Sequence, residues 1–252
     1  MLKLNIENIR VKYAERVVLN GISAQFRGGE MTSVIGKNGI GKTTLIKAIA
    51  KLIKHSGTVS LTDDKGSVYS ASDMAYLPQM STSDSKLTVF EMVLLGLVKH
   101  LRWRVSEEQI EQAAGVLKQL NLLHLSKQPF HQLSGGQKQL VSMARSLVSG
   151  PKVLLLDEPA SALDIRHQLM VMDLARKYTK QTGAVTIFVE HDLTLAARYS
   201  DRMLLLDDAE ITAFDTPEQV LRPDVLEKVY RVKVKVEKTS LGSLNVIPIE
   251  PL

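Results

Sequence analysis

The stretch GKNGIGKTT, residues 36–44, decides the fold. It matches the pattern G-x-x-x-x-G-K-[ST], in which glycines let the backbone curl until several N–H groups point at phosphate oxygens. The apolar run EMTSVIG in front of it predicts a strand, and TTLIKAIAKLIK at its end predicts a helix that Gly57 terminates. A strand, a glycine loop and a helix in this order indicate a phosphate cradle closed by the positive end of the helix.

Residues inside the cradle and at one distant strand end predict a metal site. Lys42 is expected to span the β and γ phosphates of a nucleotide, the Thr43 hydroxyl to hold Mg²⁺, and Thr44 to lie near the α phosphate. The run KVLLLDEP predicts a buried strand that ends in Asp157 and Glu158. Adjacent carboxylates repel each other unless a cation or a proton-transfer role compensates them. We therefore assign Asp157 to Mg²⁺ and Glu158 to the attacking water.

Short apolar runs predict the rest of the core. The opening LKLNIENI alternates apolar and polar residues, and GISAQF is a second strand candidate. Buried strands are predicted at DMAYLP, KVLLLD, AVTIFVE and RMLLLD, with helical segments between several of them. This alternation favours an α/β fold with a mainly parallel sheet covered by helices.

Two further segments differ from this pattern. Residues 84–130 contain two capping-box spacings ahead of helical patterns and no strand signal, which predicts an all-helical insertion. The tail VYRVKVKVEK alternates valines with charged residues, as an edge strand does. The basic run KHLRWR, residues 99–104, is interpreted as a helix end, with a dedicated site, such as one for anionic lipid headgroups, as the alternative.

Bulk properties restrict the class of protein. A chain of 252 residues suits one large domain, or one domain with a small subdomain. No run approaches the roughly eighteen apolar residues that a membrane span needs, and the start lacks a secretory signal, so a cytosolic chain is expected. The absence of cysteine excludes disulfides and thiolate metal sites. The net charge of +5 is spread among acids, which favours a solvated surface over a nucleic-acid site.

A second glycine pair occurs in LSGGQ, residues 133–137. Ser134 has Gln137 three residues later, so the sequence predicts a capped helix N-terminus with free backbone N–H groups. Such an end attracts phosphate. A helix cap without a ligand is the competing interpretation.

LSGGQ, together with GKNGIGKT, LLLDEP, SALD at 161–164 and His191, resembles the nucleotide-binding subunit of ABC transporters along nearly the whole chain. The resemblance implies one ABC ATPase domain, residues 1–252, with a P-loop NTPase core formed by 1–83 and 131–252. It also implies an N-terminal antiparallel β portion and a helical subdomain at 84–130. Lys37 departs from the proline that the family commonly has there.

The resemblance implies an ATP- and Mg²⁺-dependent site shared between two copies of the chain. Tyr13 would stack on adenine, although a core tyrosine is the alternative. The other ATP-binding positions would be Gly36, Lys37, Asn38, Gly39, Ile40, Gly41, Lys42, Thr43 and Thr44. Metal ligation would involve Thr43, Gln79 and Asp157, and catalysis would involve Glu158, His191, Gln79 and Lys42. Ser134, Gly135, Gly136 and Gln137 would close over the partner's nucleotide, and Asp164 would contact the facing subunit.

The resemblance also implies partners. The chain would form a homodimer that binds two copies of a separate polytopic membrane permease. An extracytoplasmic substrate-binding protein would be an indirect partner, and nucleic acid would not be a partner. The chain would be peripheral, at the cytoplasmic face of the inner (plasma) membrane. EMVLLGLVKHLRW, LDIRHQ, VYRVKVKVE and VIPI are similar to segments of importers of iron-siderophore complexes, haem or cobalamin.

Other classes fit less well. A GTPase needs an Asn-Lys-x-Asp segment, and an exporter half is normally fused to its own spans; neither feature occurs in the sequence. A chromosome ATPase needs a long coiled-coil insertion, and a translation factor usually has two ATP-binding cassettes in one chain. The sequence shows neither feature. A soluble ABC-type ATPase that acts in DNA repair or translation stays as the alternative.

Overall fold

The computed structural model describes residues 1–79, 85–100, 105–161, 163–240 and 242–252, with only the backbone described at 98–100. The strands are β1 (Lys3–Tyr13), β2 (Arg16–Arg27), β3 (Met31–Ile35), β4 (Ser56–Thr62), β5 (Val68–Tyr69), β6 (Met74–Leu77), β7 (Val153–Asp157), β8 (Val185–Val189), β9 (Arg202–Asp207), β10 (Glu210–Asp215), β11 (Val232–Lys238) and β12 (Leu244–Pro251). The helices are α1 (Lys42–Ile49), α2 (Val89–Leu94), α3 (Glu107–Gln119), α4 (Gly135–Leu147), α5 (Ile165–Thr182), α6 (Leu193–Tyr199), α7 (Pro217–Val220) and α8 (Pro223–Tyr230).

The strand in front of the glycine loop, β3, lies inside a six-stranded sheet of order β10-β9-β3-β8-β7-β6. All its neighbouring pairs are parallel except β10 with β9. The strands β3, β7 and β8 are buried along their whole length, as expected for parallel strands covered on both faces. The predicted mainly parallel sheet is confirmed, and its carboxyl edge places Gly36, Asp157 and His191 near one another.

An antiparallel sheet of order β2-β1-β4-β5 covers one side of this core. Its first pair, β1 with β2, forms a hairpin in which Tyr13 lies opposite Arg16. Leu4 and Ile6 of β1 and, after a register shift, Ile9 point into the core shared with α1. The expected N-terminal antiparallel portion is confirmed.

The predicted helix after the glycine loop is correct in position and wrong in length. It ends at Ile49, and Leu52 is 57% exposed instead of lying on the buried face. Lys51 adopts a left-handed backbone with φ of +57°, so the chain leaves the helix there. Gly57 lies inside β4, where the backbone of Glu7 and Asn8 leaves no room for a side chain.

The described part of residues 84–130 is helical, apart from turns and an isolated bridge between Thr88 and Pro129. The capping boxes of Thr88 with Glu91, and of Ser106 with Gln109, begin α2 and α3 as predicted. Short 3-10 turns follow at Leu95–His100, Leu123–Leu125 and Phe130–Gln132. These elements share a separate apolar cluster with α4. The expected boundary at 83/84 and most of KHLRWR lie outside the described residues.

The tail strand is confirmed as β11, and it pairs antiparallel with β12 in a separate two-stranded sheet. The second strand of this hairpin was not predicted. Val234 of β11 packs on a cluster that includes residues of α6 and α8. Within the described ranges, no helix combines the length and the apolar character that crossing a bilayer requires.

Candidate active site

The glycine loop follows β3 and closes at α1, and its backbone needs glycine. Gly36, Gly39 and Gly41 all have positive φ, at 142°, 75° and 114°. A methyl group on Gly36 would overlap the Leu206 carbonyl oxygen, and one on Gly41 would lie 2.9 Å from Cγ1 of Val18. Gly41 caps α1 without a side-chain hydrogen bond, so the first N–H groups of the helix stay available to an anion.

Lys42 fills the middle of this loop and is 5% exposed. Its Nζ donates hydrogen bonds to the carbonyl oxygens of Gly36 at 2.8 Å and Lys37 at 2.9 Å. Burial lowers the pKa of the Lys42 ammonium, while the carboxylates of Glu158 and Asp157 act in the opposite direction. The two hydrogen bonds fix the position of Nζ inside the loop, beside the backbone that would surround a bound phosphate.

Asp157 ends β7 and is 3% exposed, with both carboxylate oxygens bonded. Oδ1 accepts from the Thr43 hydroxyl at 2.8 Å, and Oδ2 accepts from the Tyr76 hydroxyl at 3.0 Å. Burial, reinforced by the Asp157 charge, raises the pKa of Tyr76, which stays a donor. Two adjacent oxygen ligands of octahedral Mg²⁺ are about 2.9 Å apart. The spacing of Thr43 Oγ1 and Asp157 Oδ1 therefore fits such a pair.

Glu158 lies between two side chains from other elements. Its Oε2 accepts from Gln79 Nε2 at 2.7 Å, and its Oε1 is 2.5 Å from His191 Nε2. Glu158 has φ of +50°, an uncommon backbone for a residue with a side chain, and the Ser161 hydroxyl bonds its carbonyl at 3.0 Å. The surrounding turn thus fixes the direction in which the carboxylate points.

Gln79, Glu158 and His191 line an open cleft of about 590 Å³. One wall comes from the hairpin of β1 and β2, where Tyr13 is 51% exposed. The lining also includes the catalytic candidates Lys42, Gln79, Glu158 and His191, which come from the glycine loop and the carboxyl edge of the parallel sheet. The remaining lining residues are Arg16, Val18, Asn38, Gly39, Gly41, Thr43 and Thr44.

Three of the predicted nucleotide-binding positions do not line this cleft. Gly36 presents its carbonyl to Lys42, and Lys37 reaches Asp207 with Nζ 3.6 Å from Oδ1. Ile40 faces a neighbouring cavity that also contains Asp208. Lys37, which stands where the family commonly has proline, therefore directs its ammonium at a carboxylate of β9.

The LSGGQ segment begins α4, as predicted. Ser134 Oγ accepts from the Gln137 N–H at 3.3 Å, and Gln137 Oε1 accepts from the Ser134 N–H at 3.0 Å. Asp164 caps α5 in the same way, bonding the His167 N–H at 2.9 Å, and its side chain is 66% exposed. Neither Asp164 nor residues 134–137 are among the described residues that line the cleft.

Several neighbours of the site escaped the sequence analysis. Arg16 donates to the Gly39 carbonyl at 3.3 Å, and Tyr76 orients Asp157. Glu190 is 6% exposed; its Oε1 accepts from the His191 N–H at 2.8 Å, and Oε2 is buried without a partner. Burial raises the pKa of Glu190. Arg16 stands three residues after Tyr13 in the sequence. This proximity was the single sequence signal that could have placed one of these neighbours near the site.

Comparisons with known proteins agree with this geometry. The profile of the family described as ABC transporter matches residues 19–161. The hemin import ATP-binding protein HmuV of Pseudomonas fluorescens is 38% identical over 244 residues, covering 93% of this chain and 94% of that protein. The iron(3+)-hydroxamate import ATP-binding protein FhuC of Bacillus subtilis is 33% identical over 243 residues, covering 94% and 90%.

A solved structure extends the comparison to three dimensions. A chain of an ABC transporter of proposed metal-chelate type, in an inward-facing conformation, superposes with a TM-score of 0.86 at 26% identity. The match covers 98% of this chain and 97% of that chain. With a profile match across more than half of its length and relatives above 30% identity along nearly all of it, the chain belongs to the ABC transporter family, as an ATP-binding ATPase.

Proposed function

We propose that the chain hydrolyses Mg²⁺-ATP in this cleft, between two copies of itself, and thereby powers import of a metal chelate through a separate membrane permease. The observation that carries the proposal is the position of Glu158, held between Gln79 and His191 beside the glycine loop. A carboxylate oriented at the end of a phosphate cradle is placed to act on a water molecule.

ATP binding would use both walls of the cleft. The triphosphate would lie over the glycine loop, with Lys42 and the N–H groups at the start of α1 directed at its oxygens. The adenine would stack on Tyr13, whose exposed ring stands on the opposite wall. Arg16 bonds Gly39 and so links this wall to the loop.

The residues for the chemical step surround the expected γ phosphate. Glu158 would accept a proton from a water molecule as the water oxygen attacks the γ phosphorus, and ADP would be the leaving group. His191 and Gln79 would orient the Glu158 carboxylate. Thr43 and Asp157 would hold Mg²⁺, which when bound supplies charge neutralisation to the phosphates. Lys42 would stabilise charge that develops on the phosphate oxygens.

The other half of each site would come from a second copy. Ser134 and Gly135 are exposed at the start of α4, and Asp164 is exposed at the start of α5. The helix N-terminus offers N–H groups to a phosphate that this chain's own cleft does not bring to it. A symmetric dimer would therefore contain two sandwiched nucleotides.

The permease would dock beside Gln79, an exposed residue next to the helical segment of 84–130. Of the apolar candidates there, Val93 and Leu97 are buried in the local cluster, whereas Leu95 is 42% exposed. We treat residues 84–130 as a subdomain whose position would depend, through Gln79, on whether the cleft holds ATP or ADP. The chain would thus be peripheral at the cytoplasmic face of the inner (plasma) membrane.

The cargo class rests on the relatives. Hemin and iron(3+)-hydroxamate import are named for two of them, so we propose a metal chelate as cargo, first an iron-siderophore complex, then haem or cobalamin. A soluble ATPase of DNA repair or translation is the second candidate, and no feature of the described residues favours it.

Affinity purification of the tagged chain from native membranes tests the proposal. We expect a multi-spanning protein to copurify and, after reconstitution in vesicles with its extracytoplasmic binding protein, to support ATP-dependent uptake of ferric hydroxamate or haem. ATPase activity that is stimulated by DNA or ribosomes, and not by any membrane partner, would support the second candidate instead.

A further inference from the structure

His167, in the first turn of α5, connects two exposed segments that lie away from the cleft. Its Nδ1 is 2.8 Å from Asp164 Oδ2, and its backbone N–H donates to Asp164 Oδ1 at 2.9 Å. Both carboxylate oxygens of Asp164 are therefore bonded to one residue. Since the acceptor is a carboxylate, the proton of the neutral ring resides on Nδ1.

The other side of the same ring covers Gly136 in the first turn of α4. A methyl group on Gly136 would overlap Cγ and Cδ2 of His167 and lie 2.7 Å from Nε2. Glycine is thus needed at this position because an imidazole occupies the space of a side chain. The ring itself is only 22% exposed, so its position is set by packing as well as by Asp164.

We propose that His167 is a positioning residue that holds Asp164 and the N-terminus of α4 in one fixed arrangement. The inference rests on the proposed function, in which these two segments face the partner's nucleotide. A displacement of Asp164 would be transmitted through the ring to Gly136, and the reverse would also hold. The side chain acts through its neighbours and has no contact with ATP in its own chain's cleft.

Dimerisation of the Glu158→Gln chain with Mg²⁺-ATP provides the test, measured by light scattering over a range of protein concentrations. His167→Asn keeps a donor at the place of Nδ1, whereas His167→Gln and His167→Ala do not. We expect Ala and Gln to weaken dimerisation about 10-fold, because each of the two copies would then have to order a released Asp164 side chain on association. We expect Asn to recover most of that loss.

Binding of a fluorescent ATP analogue to dilute, monomeric protein is the control readout. It should change less than about 2-fold in all three variants, since His167 is outside the cleft. Equal dimerisation of His167→Ala and the parent would overturn the inference. Equal impairment of Ala, Gln and Asn would also overturn it, because the bond to Asp164 would then be irrelevant.

A double substitution tests the contact with Gly136 without relying on the donor. Gly136→Ala places a methyl group against the ring, and His167→Ala removes the ring. We expect the loss in the pair to be smaller than the sum of the two single losses, because the methyl group no longer meets the ring; strictly additive losses would contradict the contact. If the Glu158→Gln parent fails to dimerise with Mg²⁺-ATP, the shared site itself is wrong, and this inference fails with it.

Discussion

Oε1 of Glu158 and Nε2 of His191 are 2.5 Å apart, although 33 residues separate them in the chain. Glu158 follows the end of β7 and His191 follows β8, which pairs with β7 in parallel, so the sheet brings them together. The same sheet edge carries the glycine loop after β3. The proximity of these two candidate catalytic residues to the glycine loop is therefore a consequence of strand order.

Glu158→Gln tests the assignment of the base. The amide retains the shape of the carboxylate and cannot accept the water proton, so we expect ATP hydrolysis to fall about 100-fold or more. ATP binding should persist, and the nucleotide should hold two copies together. Phosphate release and light scattering measure the two effects; hydrolysis at the native rate would show that another group is the base.

Lys42→Ala tests the phosphate cradle. The substitution removes a buried charge that bonds the loop and would contact ATP, so we expect ATP affinity to fall about 10- to 150-fold. Lys47→Ala, on the same helix and outside the cleft lining, is the matched control. Titration with a fluorescent nucleotide gives both affinities, and equal values for the two variants would contradict the assignment.

Tyr76→Phe tests how Asp157 is oriented. The variant keeps the ring and loses the hydroxyl that bonds Oδ2, leaving the carboxylate free to rotate away from Thr43. We expect the Mg²⁺ concentration for half-maximal ATP binding to rise about 10-fold, as for other partners of metal ligands. ATP binding measured in EDTA is the control. An unchanged Mg²⁺ requirement would show that the Tyr76 hydroxyl does not orient Asp157.

Glu190→Gln tests the buried carboxyl next to His191. Burial raises the folded-state pKa above its ordinary value of 4.5, so the unfolded chain loses this proton first as the pH rises. The native chain should lose stability between the unfolded and the folded pKa, with a slope of at most about 1.4 kcal/mol per pH unit, and then level off. The variant lacks this proton, so its melting temperature relative to the native chain should increase from pH 4.5 to pH 8.

Thermal melts at a series of pH values measure this difference, and the size of the protein predicts about 2–4 °C per kcal/mol. Glu218→Gln removes a carboxyl from an exposed position and serves as the comparison. A difference between native chain and Glu190→Gln that stays constant with pH would mean that Glu190 does not titrate differently on folding.

Local chemistry explains what the sequence predicted well. The capping boxes at Thr88, Ser106 and Ser134 depend on residues three positions apart, and all three begin helices. The buried strands were predicted because apolar runs of that length have few alternatives in an α/β chain. The glycine loop was predicted because the glycines that its backbone requires lie within one short stretch of sequence.

Contacts between distant segments explain what it missed. Tyr76 and Asp157 are 81 residues apart, and no pattern in either segment signals their bond. The ring of His167 against Gly136 depends on how α4 and α5 pack. The length of α1 was overestimated because apolar periodicity continued through Leu52 and Ile53, whereas the backbone turn at Lys51 stopped the helix.

The two walls of the cleft belong to different sheets: Tyr13 and Arg16 stand on the antiparallel one, while Glu158 and His191 follow strands of the parallel one. On the proposed function, contact with the base and cleavage of the terminal phosphate would therefore depend on residues of different sheets, joined by the bond of Arg16 to Gly39. Redesign of the hairpin at Tyr13, with Arg16 retained, would then be a route to an enzyme that consumes a different nucleoside triphosphate with the candidate hydrolytic residues unchanged.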